Sequence, residues 1–234
     1  MSNEIMLIIS LVIINCSVLL WYKLFGLKGL YCFNIFATIC ANIEVLILVH
    51  AFGMDMTLGN ILFASTFLIT DIVSELYSKK ESNRIVNMGI GISVLFIIIS
   101  QLWLRFSPAS SDFAFPHIQA LFTNTPRLIF ASLIVYAISQ KLDVFLYHKL
   151  WGFTNKKFGD KRKYLYIRNN LSTLTSQLVN AVLYNLFAFY GVYKFSTLVS
   201  IIITSYLIFI ATSLLDTPIV YLARKIKDKD IVAE

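Results

Sequence analysis

Seven apolar runs, each about 20 residues long, follow one another along this chain with short polar connections between them. They cover 5–22, 31–50, 58–77, 85–104, 127–149, 166–190 and 198–222. Wound as a helix, such a run crosses the hydrocarbon core of a bilayer, roughly 30 Å. Of the 234 residues, 58% are hydrophobic and 14% charged, and no soluble core of this size could hide all seven runs. In lipid every backbone N–H and C=O needs a partner within the structure, and the alternating pattern of a membrane barrel is absent. The expected fold class is therefore all-α: a polytopic membrane protein with seven transmembrane helices in one integral membrane domain over 1–234.

The net charge of +7 comes from short basic clusters between the runs. They nowhere form a basic face interleaved with aromatic residues, which excludes nucleic acid as a partner. Lys23 and Lys28 mark the first connection, Lys79, Lys80 and Arg84 the third. Lys149, Lys156, Lys157, Lys161, Arg162, Lys163 and Arg168 mark the fifth, and Arg224, Lys225, Lys227 and Lys229 a basic tail over 223–234. The even-numbered connections hold only Arg105, Arg127 and Lys194. By the positive-inside rule the N-terminus lies outside and the C-terminus in the cytoplasm of a cell (inner or plasma) membrane protein, with lipid as its surroundings. The first run lacks a basic start and a small-residue cleavage pattern, so it is expected to stay as a helix.

Cys16, Cys32 and Cys40 have neither CxxC spacing nor a histidine in register, and His50, His117 and His148 stand isolated, so no metal site and no cofactor is expected. Nucleotide-binding, nucleophile-elbow and zinc-protease motifs are absent. The connection over 106–127 holds three of the four prolines. It reads either as a lid or re-entrant turn, or as an interfacial loop whose Phe113, Phe115 and Phe122 rest on headgroups.

Ionisable residues at membrane depth cost about 2.5–3.5 kcal/mol each on insertion scales, so each needs a partner, a wet cavity or a function. Asp71 and Glu75, at i and i+4, share one face of the third helix, which Tyr77 closes. Gln140 and Asp143 share a face of the fifth, and Asp216 lies in the seventh. Asn169, Thr173, Gln177 and Asn180 form a polar stripe along the sixth, with Arg168 at its start. The topology places Asp71, Glu75, Gln140, Asp143, Arg168, Asn169, Asn170 and Asp216 in the cytoplasmic half, as one shared polar cluster. Arg168 is the natural partner for a carboxylate. Glu75 and Arg168 could instead snorkel, Glu75 pairing with Lys79, and the amides could simply glue helices together.

Three segments carry a resemblance: TDIVSELYSKKESNRIV over 70–86, SQKLDVFLYHKL over 139–150 and LYIRNNLSTLTSQLVNAVLYNLFAFYG over 165–191. Together, and in this order, they resemble the queuosine precursor transporter family, formerly labelled vitamin-uptake transporters, over roughly 31–222. The resemblance implies an inner-membrane importer of deazaguanine precursors of the tRNA nucleoside queuosine, such as 7-cyano-7-deazaguanine. It also implies a six-helix core over 31–222, similar to the substrate-binding components of energy-coupling-factor vitamin transporters, with 5–22 as an extra helix. Ser78 stands where a glycine often follows the tyrosine, and Asn180 where an aspartate is common. Asp71, Glu75, Asp143, Asn170, Gln177 and Tyr77 supply the residue types a purine-like base needs: carboxylates for N–H groups, amides for a carbonyl edge and a ring for stacking.

Coupling to protons through the carboxylates, or to an ATPase module, are the two energy sources considered. The small-xxx-small pair Ala37 and Ala41 would serve either docking to a coupling subunit or ordinary helix packing. The competing readings are an intramembrane enzyme using Asp71 and Asp143, a substrate-binding subunit of a multi-component vitamin transporter, and a structural subunit.

Overall fold

The structure, a computed structural model, describes residues 2–123, 126–159, 164–191 and 194–233. The cluster Lys161, Arg162 and Lys163 lies outside the described residues, as do the side chains of Arg127 and Lys229. The elements are α1 (Asn3–Glu44), β1 (Leu48–Ala51), β2 (Met54–Thr57), α2 (Gly59–Leu76), α3 (Lys79–Trp103), α4 (Phe115–Thr123), α5 (Pro126–Phe158), α6 (Leu165–Phe189) and α7 (Phe195–Ala233).

At 42 residues α1 is about twice as long as one crossing needs. It breaks at Gly26, whose φ of 58° and ψ of −141° suit a residue without a Cβ. The rings of Trp21 and Phe33 then meet at 6.4 Å, far closer than twelve residues of straight helix allow, so the chain folds back and α1 makes two crossings. Val18 and Tyr22 from the first arm join Leu30 and Phe33 from the second in the main apolar cluster, together with Leu68, Ile69 and Ile72 of α2. With α2, α3, α5, α6 and α7 this makes seven crossings. α6 has the length, 25 residues, but its buried face is polar from Arg168 to Asn185, so its mean hydropathy falls below that of the other spans. Leu171, Leu178 and Phe187 are exposed on its opposite face, the arrangement a lipid-facing helix with a polar interior requires.

The second expected helix, to residue 50, is corrected. Helix α1 stops at Glu44, and Leu48–Ala51 pairs antiparallel with Met54–Thr57 across Phe52 and Gly53. Both turn residues have positive φ, 54° and 71°, as a I′ hairpin turn requires. The hairpin is tied to the start of α1, where Asn3 Nδ2 donates to His50 O at 2.9 Å and Phe52 N donates to Glu4 Oε1 at 3.0 Å. The bundle thus has a hairpin end, where α2, α5 and α7 begin, and an opposite basic end, where Lys79, Lys149, Arg168 and Arg224 gather.

At the basic end Ser78 caps α3: Glu81 N donates to Ser78 Oγ at 3.2 Å, in a Ser-x-x-Glu sequence suited to a capping box. In the loop over 106–127, α4 turns Phe122 inward against Phe96 and Trp103, with ring centroids 6.0 and 5.9 Å apart. Phe122 is buried rather than resting on headgroups, because its ring fills the gap left by two aromatic neighbours, while Phe113 stays exposed. Ala37 and Ala41 are buried against α2, the use of small residues in helix packing. At the basic end α7 continues as helix to Ala233, and Arg224 turns inward rather than into a solvated tail.

Gly59 sits where α2 starts beside the end of α1; a Cβ there would lie 2.8 Å from Val45 N and 3.1 Å from Ala41 O. Backbone cannot yield as a side chain can. Gly59→Ala is expected to cost about 1–3 kcal/mol and lower the melting temperature in detergent, whereas Gly91→Ala, with open space around it, leaves the melting curve in place.

Candidate functional site

The polar residues of the interior fall on two levels, not in one cluster. At the basic end Glu75 is the hub. Arg168 Nε and Nη2 donate to its Oε2 at 3.0 and 2.7 Å, and Nη2 also reaches Oε1 at 2.7 Å. Arg224 Nη2 donates to Oε1 at 2.6 Å, and Tyr147 Oη donates to Oε2 at 2.7 Å. Trp151 covers the Arg168 guanidinium at 4.5 Å from its ring centroid. The Arg168 side chain has no exposed surface and that of Glu75 has 2%. Neither snorkels: the pair lies inside the bundle, and one carboxylate ties α2 to α5, α6 and α7. Beside it Lys227 donates to Leu76 O and sits 3.8 Å from the centroid of Tyr77, so Tyr77 belongs to this closure.

One turn deeper lie the aspartates. Thr173 Oγ1 donates to Asp71 Oδ2 at 2.9 Å and Ser176 Oγ donates to Asp143 Oδ1 at 3.0 Å. The carboxyls of Asp71 and Asp143 are neighbours, and Asp216 is within electrostatic range of Asp71. Asp216 in turn accepts from Asn15 Nδ2 at 3.5 Å. Apart from the contact between the Asp71 and Asp143 carboxyls themselves, Asp71 Oδ1, Asp143 Oδ2 and Asp216 Oδ2 are buried without a hydrogen bond among the described residues, as are both amide atoms of Gln177. A buried polar group left unpaired is costly, so this level is built for a group the protein alone does not supply: water, a proton or a ligand atom.

Asn169 and Asn170 go elsewhere. Both side-chain amides donate to Thr217 Oγ1, at 3.2 and 2.8 Å, joining α6 to α7 as amides join membrane helices. Gln140 connects the aspartates to the other half of the bundle. Its Nε2 donates to Thr66 Oγ1 at 2.7 Å, and Thr70 Oγ1 donates to its Oε1 at 3.2 Å.

Above Thr66 the bundle opens toward the hairpin end. A cleft of about 400 Å³ lies between the hairpin, α6 and α7, within the range of small-molecule sites. A smaller cavity of about 40 Å³ reaches down to Thr66 between α1, α2, α3, α5, α6 and α7, and the two share Asn60, Asn180, Tyr184 and Phe209.

Of the polar side chains involved, sequence reasoning missed Asn15, Tyr147, Arg224 and Asn60. Asn15 is the one amide in the first apolar run and Arg224 reads as part of a tail. Neither has a periodic companion that would reveal its role.

A helical bundle crossing the membrane seven times, with a charged closure at one end, buried acids in the middle and a cleft at the other, is a multi-pass membrane protein with a polar interior. The family described as "Putative vitamin uptake transporter" matches residues 57–223. A "Probable queuosine precursor transporter" of Bacillus subtilis (strain 168) is 35% identical over 213 residues, which are 91% of this chain and 91% of that one. No solved structure is a significant match. The chain belongs to the queuosine precursor transporter family, and its role is transport of a small molecule across a membrane.

Removing Glu75 strands a fully buried guanidinium. Glu75→Ala is expected to destabilise the protein by about 3–5 kcal/mol, and the double variant Glu75→Gln with Arg168→Met to recover most of the loss, because the fully buried guanidinium is gone and Arg224, 14% exposed, keeps access to solvent. Thermal melts of the three detergent-purified proteins measure this.

Proposed function

We propose that this protein takes up a queuosine precursor, a 7-deazaguanine base such as 7-cyano-7-deazaguanine, across the cell membrane. In this reading the hairpin end and the N-terminus face outside, and the basic end and the C-terminus face the cytoplasm. The name of the Bacillus subtilis relative supports the substrate class. The observation that carries the direction is the asymmetry of the bundle. A cleft enters from the hairpin end, while Glu75, Arg168, Arg224 and Tyr147 close the end richest in Lys and Arg. The positive-inside rule puts that end in the cytoplasm. This is an outward-open arrangement, and import follows when the closure and the cleft exchange states.

The aspartates are the coupling groups in this reading. Two carboxyls side by side at membrane depth repel one another when ionised, and a proton bound between Asp71 and Asp143 removes that repulsion. A bound proton thereby favours one packing of α2, α5 and α6 over another, the differential interaction that a driven conformational change needs. The Thr66–Gln140 contact relays between substrate and proton levels, since Gln140 touches the floor of the smaller cavity and lies one turn from Asp143. The burial of Ala37 and Ala41 inside the bundle removes them as a docking surface for a coupling subunit.

The test uses a strain that cannot make the precursor and is supplied with each deazaguanine in turn. Expression of this protein is expected to restore queuosine in tRNA, and an uncoupler to abolish accumulation while ATP depletion does not. Asp71→Asn and Asp143→Asn are each expected to reduce accumulation by about two orders of magnitude, the scale of a lost proton-transfer group. Unchanged queuosine content with and without the protein would sink the reading. A fluorescent protein fused after residue 234 is expected to fluoresce, as a cytoplasmic C-terminus demands.

A further inference from the structure

The cleft and the smaller cavity meet at a junction whose chemistry is unlike that of the aspartate level. No Asp, Glu, Lys or Arg is among the described residues that line either space. Two carboxamides stand there instead. Asn60 lines both spaces; its Oδ1 accepts from Thr57 Oγ1 at 3.0 Å, and its Nδ2 is buried without a hydrogen bond among the described residues. Asn180, 6% exposed, accepts from Ser139 Oγ through Oδ1 at 3.4 Å, which leaves its amide NH₂ to point elsewhere. The anchoring of each Oδ1 fixes which way its NH₂ lies.

An aromatic wall completes the junction. Phe209 and Tyr136 each pack against Phe63, with centroids 6.4 and 6.0 Å away, and Phe63 rests on Phe67 at 5.5 Å. Rings held this way offer a flat, rigid face, and Tyr184 stands on the α6 side of the same space. Two oriented N–H donors beside a rigid aromatic face, with no carboxylate, Lys or Arg among the described lining residues, suit one kind of ligand: a planar heteroaromatic lactam whose carbonyl and ring nitrogen accept hydrogen bonds. An ion placed there would lose its hydration with no carboxylate, Lys or Arg among the described lining residues to replace it.

We propose that the transported base is recognised at this junction, by Asn60 and Asn180 against the Phe209 and Tyr184 rings, and that the site takes an uncharged planar lactam in preference to a charged analogue. This rests on the uptake reading above for the class of substrate and relocates recognition away from the carboxylates. Binding and coupling are then separate levels, joined by Thr66 and Gln140. The base is read in the uncharged half and the carboxylates below respond to it.

Equilibrium binding to the full-length protein in nanodiscs tests this, with tritiated guanine and 7-cyano-7-deazaguanine as neutral probes and the 7-aminomethyl and 7-carboxy analogues as charged ones. Asn60→Ala and Asn180→Ala are each expected to weaken neutral-probe binding by about tenfold or more, the scale of one lost hydrogen bond to a buried partner. Asn180→Asp, which keeps the size and adds a negative charge, is expected to shift preference toward the cationic aminomethyl base. Asp71→Asn is expected to keep binding while losing accumulation. Wild-type affinity in the Asn60 and Asn180 variants, with binding lost in Asp71→Asn or Asp143→Asn, would overturn the proposal and leave uptake standing. Asparagine-dependent binding of guanine without uptake of any deazaguanine would instead overturn the uptake reading and leave the site standing. A wild-type protein that binds charged analogues more tightly than neutral ones overturns the site.

Discussion

A guanidinium with no exposed surface, held inside a bundle surrounded by lipid, can exist only if an anion meets it with full hydrogen bonding. Glu75 is that anion, and the geometry of the basic end follows from it. One carboxylate accepts from Arg168 on α6, Tyr147 on α5 and Arg224 on α7. Four helices are thereby fixed to one point. Trp151 and Tyr147 exclude water from the guanidinium, which strengthens the pairing and makes its disruption costly. A closure of this kind is held by charge and geometry rather than by apolar area.

The same rule, that polar groups in lipid are paired or functional, separates the remaining residues. Asn169 and Asn170 donate to Thr217, and Asn42 Nδ2 donates to Ser93 Oγ at 3.4 Å while its Oδ1 accepts from Ser132 Oγ at 3.5 Å, so these amides join neighbouring helices. Asp71, Asp143 and Asp216 each keep a carboxyl oxygen buried without a partner among the described residues, as Asn169 and Asn170 keep an amide oxygen, but only the carboxyls can take up a proton there. The first arm of α1 reaches this level too, where Asn15 Nδ2 donates to Asp216 Oδ1.

Much of the site was legible at the level of single helices. Asp71 and Glu75, four residues apart, had to share a face, and the i, i+4, i+8, i+11 spacing of the α6 stripe could face only the interior. Which partner each would take was not legible, because Arg168 and Arg224 lie 93 and 149 residues from Glu75. The hairpin escaped for a local reason. Its strand Leu48–Ala51 is as apolar as a helix end, and what makes it a strand is the positive φ of Phe52 and Gly53 together with the ties to Asn3 and Glu4. The junction of the two cavities escaped because Asn60 and Asn180 stand on different helices, and each alone reads as glue.

The sequence by itself determined that this is an all-α membrane protein with seven crossings, since the length of an apolar run and the need to satisfy its backbone are local properties. It also determined which helix faces are polar, through a period that survives whatever the helices pack against. Only the tertiary structure decided that Glu75 and Arg168 close one end while the aspartates stand a turn deeper, and that a cleft lined by uncharged amides and rings opens at the other. Those outcomes depend on which helices become neighbours, and helix adjacency is set by the sum of many long-range contacts, which no window of sequence contains.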